Sequence, residues 1–115
     1  MSKPVAHYSP SFRAGDWLIV SGQLGLRDGA LTEGVEEQTR QALANMSSVL
    51  EAAGASFTDV AKCTIFMSDM ANFATINSIY ADTFGDHLPS RSAVAVAALP
   101  LGGLVEIEAW AYLGD

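Results

Sequence analysis

Residues 89–113 read PSRSAVAVAALPLGGLVEIEAWAYL. Two apolar runs flank a break at Pro100, Gly102 and Gly103. Proline has no N–H to give to a ladder and glycine weakens a strand, so the stretch predicts two strands, about 91–99 and 104–113. Alternation in the second sets Val105, Ile107, Ala109, Ala111 and Leu113 on one face, and Glu106, Glu108, Trp110 and Tyr112 on the other. In the first, Ala93, Ala95, Ala97 and Leu99 share a face with Arg91. A guanidinium thus opens one apolar run and a carboxylate sits deep inside the next. Either both are solvated, or they belong to a site.

Upstream, WLIVSGQLGL at 17–26 has the β-branched and aromatic content of a strand, and Asp28-Gly29 is a hairpin dipeptide because both residues tolerate positive φ. A strand as short as Ala6 to Ser9 precedes it. Residues 35–53 carry the helical period, with Val35, Ala42, Leu43, Met46, Val49, Leu50 and Ala53 on one stripe. Glu36 and Glu37 suit its N-terminus and Gly54 its stop. VAKCTIFMSD at 60–69 is another strand. Phe73, Ile76, Tyr80 and Phe84 then recur at helical spacing, ended by Gly85. The order is strand, strand, helix, strand, helix, strand, strand, which is an α+β layer with two helices on one face of one sheet. The other face, carrying Trp110, is expected to pack against further subunits; a partly solvated antiparallel sheet is the alternative.

The chain has 115 residues, half of them apolar, with a net charge of −7. That fits one domain spanning 1–115 with a real core. Its six basic residues, Lys3, Arg13, Arg27, Arg40, Lys62 and Arg91, are scattered, so general nucleic-acid binding is not expected. Cys63 is the only cysteine, so no internal disulfide is possible. The start MSKPVAHYSP has no apolar signal segment and no run is long enough to span a membrane, which makes a cytoplasmic protein the default expectation.

Few residues offer chemistry. Arg91 presents a flat, permanent fork that matches a carboxylate, or it is an ordinary strand-edge arginine. Glu106, flanked by Val105 and Ile107, is a tunable acid able to orient or deprotonate water, or a solvated strand position; Glu108 shares its face. Gly22, inside a good strand, marks a bulge or a close approach, with its N–H as a donor. Tyr8 and Asn77 carry polar groups able to reach a pocket. Tyr80 and Cys63 read as core. His7 and His87 are too few for a metal cluster, and no metal is expected.

Taken together, these stretches resemble the RidA/YjgF family. The features are Pro89, Arg91, Ser92, Val96, Leu99-Pro100 and VEIE at 105–108, with SGQ at 21–23, EAAGASFTDV, KCTIFMSD and NFATINSIY in the same order along nearly the whole chain. The resemblance implies a chorismate-mutase-like fold with a mixed sheet, a homotrimer, and sites in the clefts between subunits. It implies hydrolysis of 2-imino acids to 2-oxo acids and ammonia without a cofactor. Arg91 then matches the group that grips the substrate carboxylate, Gly22 a backbone donor beside it, Glu106 the acid that positions the attacking water, and Tyr8 and Asn77 polar residues lining the cleft. Two departures stand out. Ala93 replaces a cysteine found in many members, and the link GDHLPS before Arg91 is short. Some branches that lack the arginine look inactive; this chain keeps both Arg91 and Glu106. The competing reading is a trimeric module that binds 2-oxo acids or similar small carboxylates without turnover. A ribonuclease, an activity ascribed to some relatives, fits the acidic charge poorly.

Overall fold

The computed structural model describes residues 6–115. A five-stranded sheet carries the molecule. Its strands are β1 (Ser11–Ala14), β2 (Trp17–Leu24), β5 (Val60–Met67), β6 (Ser90–Ala95) and β7 (Val105–Tyr112), in the order β1-β2-β7-β5-β6. All neighbours are antiparallel except β5 and β6, which makes the sheet mixed. A small hairpin, β3 (Leu26–Arg27) with β4 (Ala30–Leu31), stands apart from it. Asp28 and Gly29 turn it with φ of 54° and 84°, the two positive values that such a turn requires.

Helices α1 (Gly34–Ala52) and α2 (Phe73–Phe84) cover one face. The apolar stripe of α1 is buried through Ala42, Leu43, Met46, Val49 and Leu50, and it meets the inward faces of β2 and β7. Alternation in β7 is as the sequence predicts: Val105, Ile107, Ala109 and Ala111 are buried in that core, while Trp110 and Tyr112 are exposed on the far face. Gly54 and Gly85, at φ of 78° and 60°, end the two helices where a side chain would be strained.

Four sequence expectations need correction, the last of them at Gly25. The first strand is Ser11–Ala14, not Ala6–Ser9, because Ser11–Ala14 is the segment in register with Trp17–Val20. The strand through Arg91 ends at Ala95 rather than residue 99, since β5, its only neighbour among the described residues, runs out at Met67. The third concerns faces. Arg91 lies beside buried Cys63 in the parallel β5–β6 register, so it and Ala93 look toward the helices. The small residues after Arg91 do not extend the outer face that carries Trp110.

The strand predicted over 17–26 breaks at Gly25, and close packing is the reason. A Cβ on Gly25 would stand 2.5 Å from both Cα and carbonyl O of Gln38, on α1. In that contact Asn45 donates to the carbonyls of Leu24 (3.1 Å) and Leu26 (2.9 Å), satisfying backbone that the sheet has released. Buried Gln38 accepts from the Leu104 N–H at 2.8 Å, just before β7 begins. Backbone cannot rotate away as a side chain does, so Gly25→Ala is expected to push α1 off the sheet. The expected loss is at least about 2 kcal/mol, combining overpacking with weakened buried hydrogen bonds. A lower urea midpoint at unchanged slope is the measurement.

Candidate active site

Arg91 sits on edge strand β6 with its guanidinium under α2. Its Nη1 donates to Asn77 Oδ1 at 2.7 Å. The Phe73 and Tyr80 rings lie 5.6 Å and 5.0 Å from its Cζ. Residues 73, 77 and 80 fall at i−4, i and i+3 of one helix, so a single face of α2 supplies both rings and the anchoring amide. Ring faces attract the cation and leave its planar N–H edge unspent. Among the described residues no carboxylate pairs with Arg91; the ion pairs found involve Arg40 with Glu36 and Glu37. A part-buried guanidinium held by neutral groups alone is an anion site in waiting, because burial of an unpaired charge is costly. A cavity of about 390 Å³ opens beside it.

Glu106 stands on the opposite, open face, with Leu24 and Phe66 as its cross-strand partners. Burial between them raises its pKa above the ordinary 4.5, and repulsion from Glu108 adds to the shift. Gly22 explains how the carboxylate fits. The β2–β7 register slips between Val20 and Gln23, so a bulge is present, and a Cβ on Gly22 would lie 2.8 Å from Glu106 Cδ and Oε2. Bulge and close approach are the same feature: the strand kinks and gives up a side chain so that Glu106 can lie across it. Gly22→Ala meets a movable carboxylate rather than backbone, so stability is expected to fall by less than about 1 kcal/mol while the acid is displaced. If Glu106 is catalytic, turnover drops tenfold or more at a nearly unchanged melting temperature, measured on the same sample.

Tyr8 is half-exposed, just before the segment that ties down on this side. Ser21 Oγ donates to Ser9 O at 2.6 Å and Ser21 N to Pro10 O at 2.9 Å. Tyr8 and Gly22 are therefore brought to the same end of β2. Cys63 is fully buried, and burial pushes its thiol up to about 11 against the opposing pull of Tyr80 and Arg91. It stays protonated at neutral pH and is a core residue, as expected. Tyr80 is core too, but it also carries Arg91. Its hydroxyl is buried beside Cys63 without a well-formed hydrogen bond, and burial raises its pKa.

The candidate residues thus form two groups. Arg91 and Asn77 share the helix side of an edge strand; Glu106 and Gly22 share the open face, and Tyr8 precedes the residues that bond Ser21 beside Gly22. Within one chain the sheet separates them. Sequence reading missed Phe73 and Tyr80 as supports of Arg91, and Gly25, Gln38 and Asn45 as supports of the β2 kink and the start of β7. The last two left a signal: Gln38 is a polar residue in line with the apolar stripe of α1, and Asn45 borders it.

Comparison with known proteins shows where this pattern recurs. The sequence profile described as Endoribonuclease L-PSP matches residues 1–113. The chain belongs to the RidA/YjgF family. It is 42% identical over 113 residues to a 2-iminobutanoate/2-iminopropanoate deaminase of Bos taurus, covering 96% of this chain and 82% of that protein. The structure of RidA from the Antarctic bacterium Psychrobacter sp. PAMC 21119 is similar at a TM-score of 0.93 and 38% identity, over 96% of this chain and 91% of that one. E. coli TdcF, solved with bound serine, is similar at 0.92 and 35% identity, over 96% and 90%. RidA/YjgF structures have two helices packed on a mixed sheet, as here. No helix among the described residues is long and apolar enough to cross a membrane.

Proposed function

We propose that this RidA/YjgF protein is a hydrolytic deaminase of 2-imino acids, assembled as a homotrimer with its sites at the seams. The observation that carries the reading is Arg91: half-buried, fixed by Asn77 and two aromatic rings, and without a counter-ion among the described residues. It suits a small carboxylate. The relative named as an imine deaminase and the relative solved with serine, itself a 2-amino carboxylate, support the same class of ligand. Trp17, Trp110, Tyr112 and Val94 are exposed large apolar residues, and the first three pack edge to face on the open side. Covering that patch with a second copy puts Glu106, on the same open face, at a seam, where a neighbour's Arg91 would complete the proposed site.

The chemistry follows from the two groups. Arg91 holds the substrate carboxylate and so fixes the adjacent C=N carbon. The partner's Glu106 takes a proton from water as the water oxygen bonds to that carbon, the C=N pair moves to nitrogen, and Glu106 returns the proton to that nitrogen and is ionised again. The resulting carbinolamine gives its hydroxyl proton back through Glu106 to the nitrogen. The C–N bond breaks, the C=O forms, and ammonia leaves with the 2-oxo acid. Water supplies every atom added, and no cofactor is needed. The imines are products of pyridoxal-phosphate enzymes acting on serine or threonine, which makes the cytoplasm the proposed setting.

The test couples the purified protein to threonine dehydratase or an amino-acid oxidase and follows imine loss and ammonia release. Acceleration over the uncatalysed rate, from a species three times the mass of one chain, supports the reading. Tight 2-oxo acid binding with no acceleration would establish a binding module instead.

A further inference from the structure

The cavity beside Arg91 is larger than a three- or four-carbon imine needs. Its volume of about 390 Å³ corresponds to roughly thirteen water-sized positions at about 30 Å³ each. 2-Iminopropanoate, with about six non-hydrogen atoms, leaves more than half of these empty or wet.

The walls say what belongs there. One is a continuous aromatic stack. The Arg91 guanidinium lies over Tyr80, Tyr80 stacks on Phe84 with centroids 4.4 Å apart and planes at 28°, and His87 lies over Phe84 at 6.3 Å with the same tilt. The stack is held at both ends: Asn77 fixes Arg91, and His87 Nε2 is bonded to the Val60 carbonyl at 2.7 Å. Phe57 braces Phe84 edge-on at 5.0 Å. The remaining walls include Ala81, Leu88 and Pro89, and no acidic side chain lines the space. The faces of these rings are taken up by one another and both Tyr80 and Phe84 are buried, so the column shows ring edges to the cavity; edges beside a cation suit an apolar ring packed edge to face, carrying a carboxylate a few bonds away.

We infer that this cavity takes the substrate's side chain, and that the preferred ligands are 2-imino and 2-oxo acids with an aromatic side chain, as derived from phenylalanine, rather than the short ones. The inference rests on the proposed role of Arg91 as carboxylate clamp. Ala81 is the residue whose size sets the room: it lines the cavity from α2 and is itself exposed.

The experiment measures binding by calorimetry, independently of turnover, for 3-phenyl-2-oxopropanoate and 2-oxobutanoate. The protein is expected to bind the aromatic acid about tenfold more tightly. In Ala81→Phe, which fills the cavity, that ratio is expected to fall to about one. Leu88→Ala, on a highly exposed loop position where truncation threatens the fold little, is expected to cut the ratio about threefold. Equal or tighter binding of the short acid by the unmodified protein overturns the inference, as does an unchanged ratio in Ala81→Phe. Binding of neither acid overturns the carboxylate clamp along with it. Selective binding without imine hydrolysis leaves the inference standing and removes only the proposed catalysis.

Discussion

In the proposed mechanism Glu106→Gln is expected to lower imine hydrolysis by about 10²–10⁴-fold, the usual contribution of a positioned general base, while 2-oxo acid binding survives. Glutamine keeps size and hydrogen bonding but cannot accept the proton of water. The substitution also removes a pH dependence. Burial and Glu108 raise the Glu106 pKa, so the active, ionised form fills in only as the pH climbs through a value above 4.5. The rate of the unmodified protein therefore rises along this limb, and the residual rate of Glu106→Gln does not. Stability moves the other way. The folded chain favours protonated Glu106, whose contribution is complete below the ordinary 4.5 and is lost as the pH rises through the shifted value. An acid limb that persists in Glu106→Gln assigns the base to another group.

Arg91→Lys is expected to raise KM for the imine about ten- to hundredfold if Arg91 is the proposed clamp, because ammonium keeps the charge but loses the two-pronged geometry. Each charge-assisted hydrogen bond contributes about 1.5–3 kcal/mol, and a lysine ammonium does not sit between Phe73 and Tyr80 as a planar guanidinium does. The variant is expected to fold, since Arg91 is half-exposed and forms no ion pair among the described residues. Unchanged kinetics would exclude the clamp.

Much of this was readable beforehand. The strict alternation of Val105 to Ala111 fixed which face of β7 is buried, and the stripe of α1 fixed what covers it. Pairing was less legible. Nothing local tells a strand that its only partner ends at Met67, so β6 was read four residues too long. The side on which Arg91 lies depends on its parallel register with Cys63, a partner many residues away. Gly22 was legible as a disturbance but not as the floor under Glu106, because that contact is made by another strand. Tyr80 read as core and is core; its second role as a platform for a cation depends on β6 passing beneath α2. The family resemblance named the candidate residues, and the fold places Arg91 and Glu106 on opposite sides of the sheet.

That separation has a genetic consequence. If the proton acceptor and the carboxylate grip of each working centre come from different polypeptides, then Arg91→Lys and Glu106→Gln are each defective alone but not when co-expressed. In mixed assemblies some centres draw the intact arginine from one mutant product and the intact glutamate from the other. Two loss-of-function alleles of this one gene would then rescue each other in the same cell.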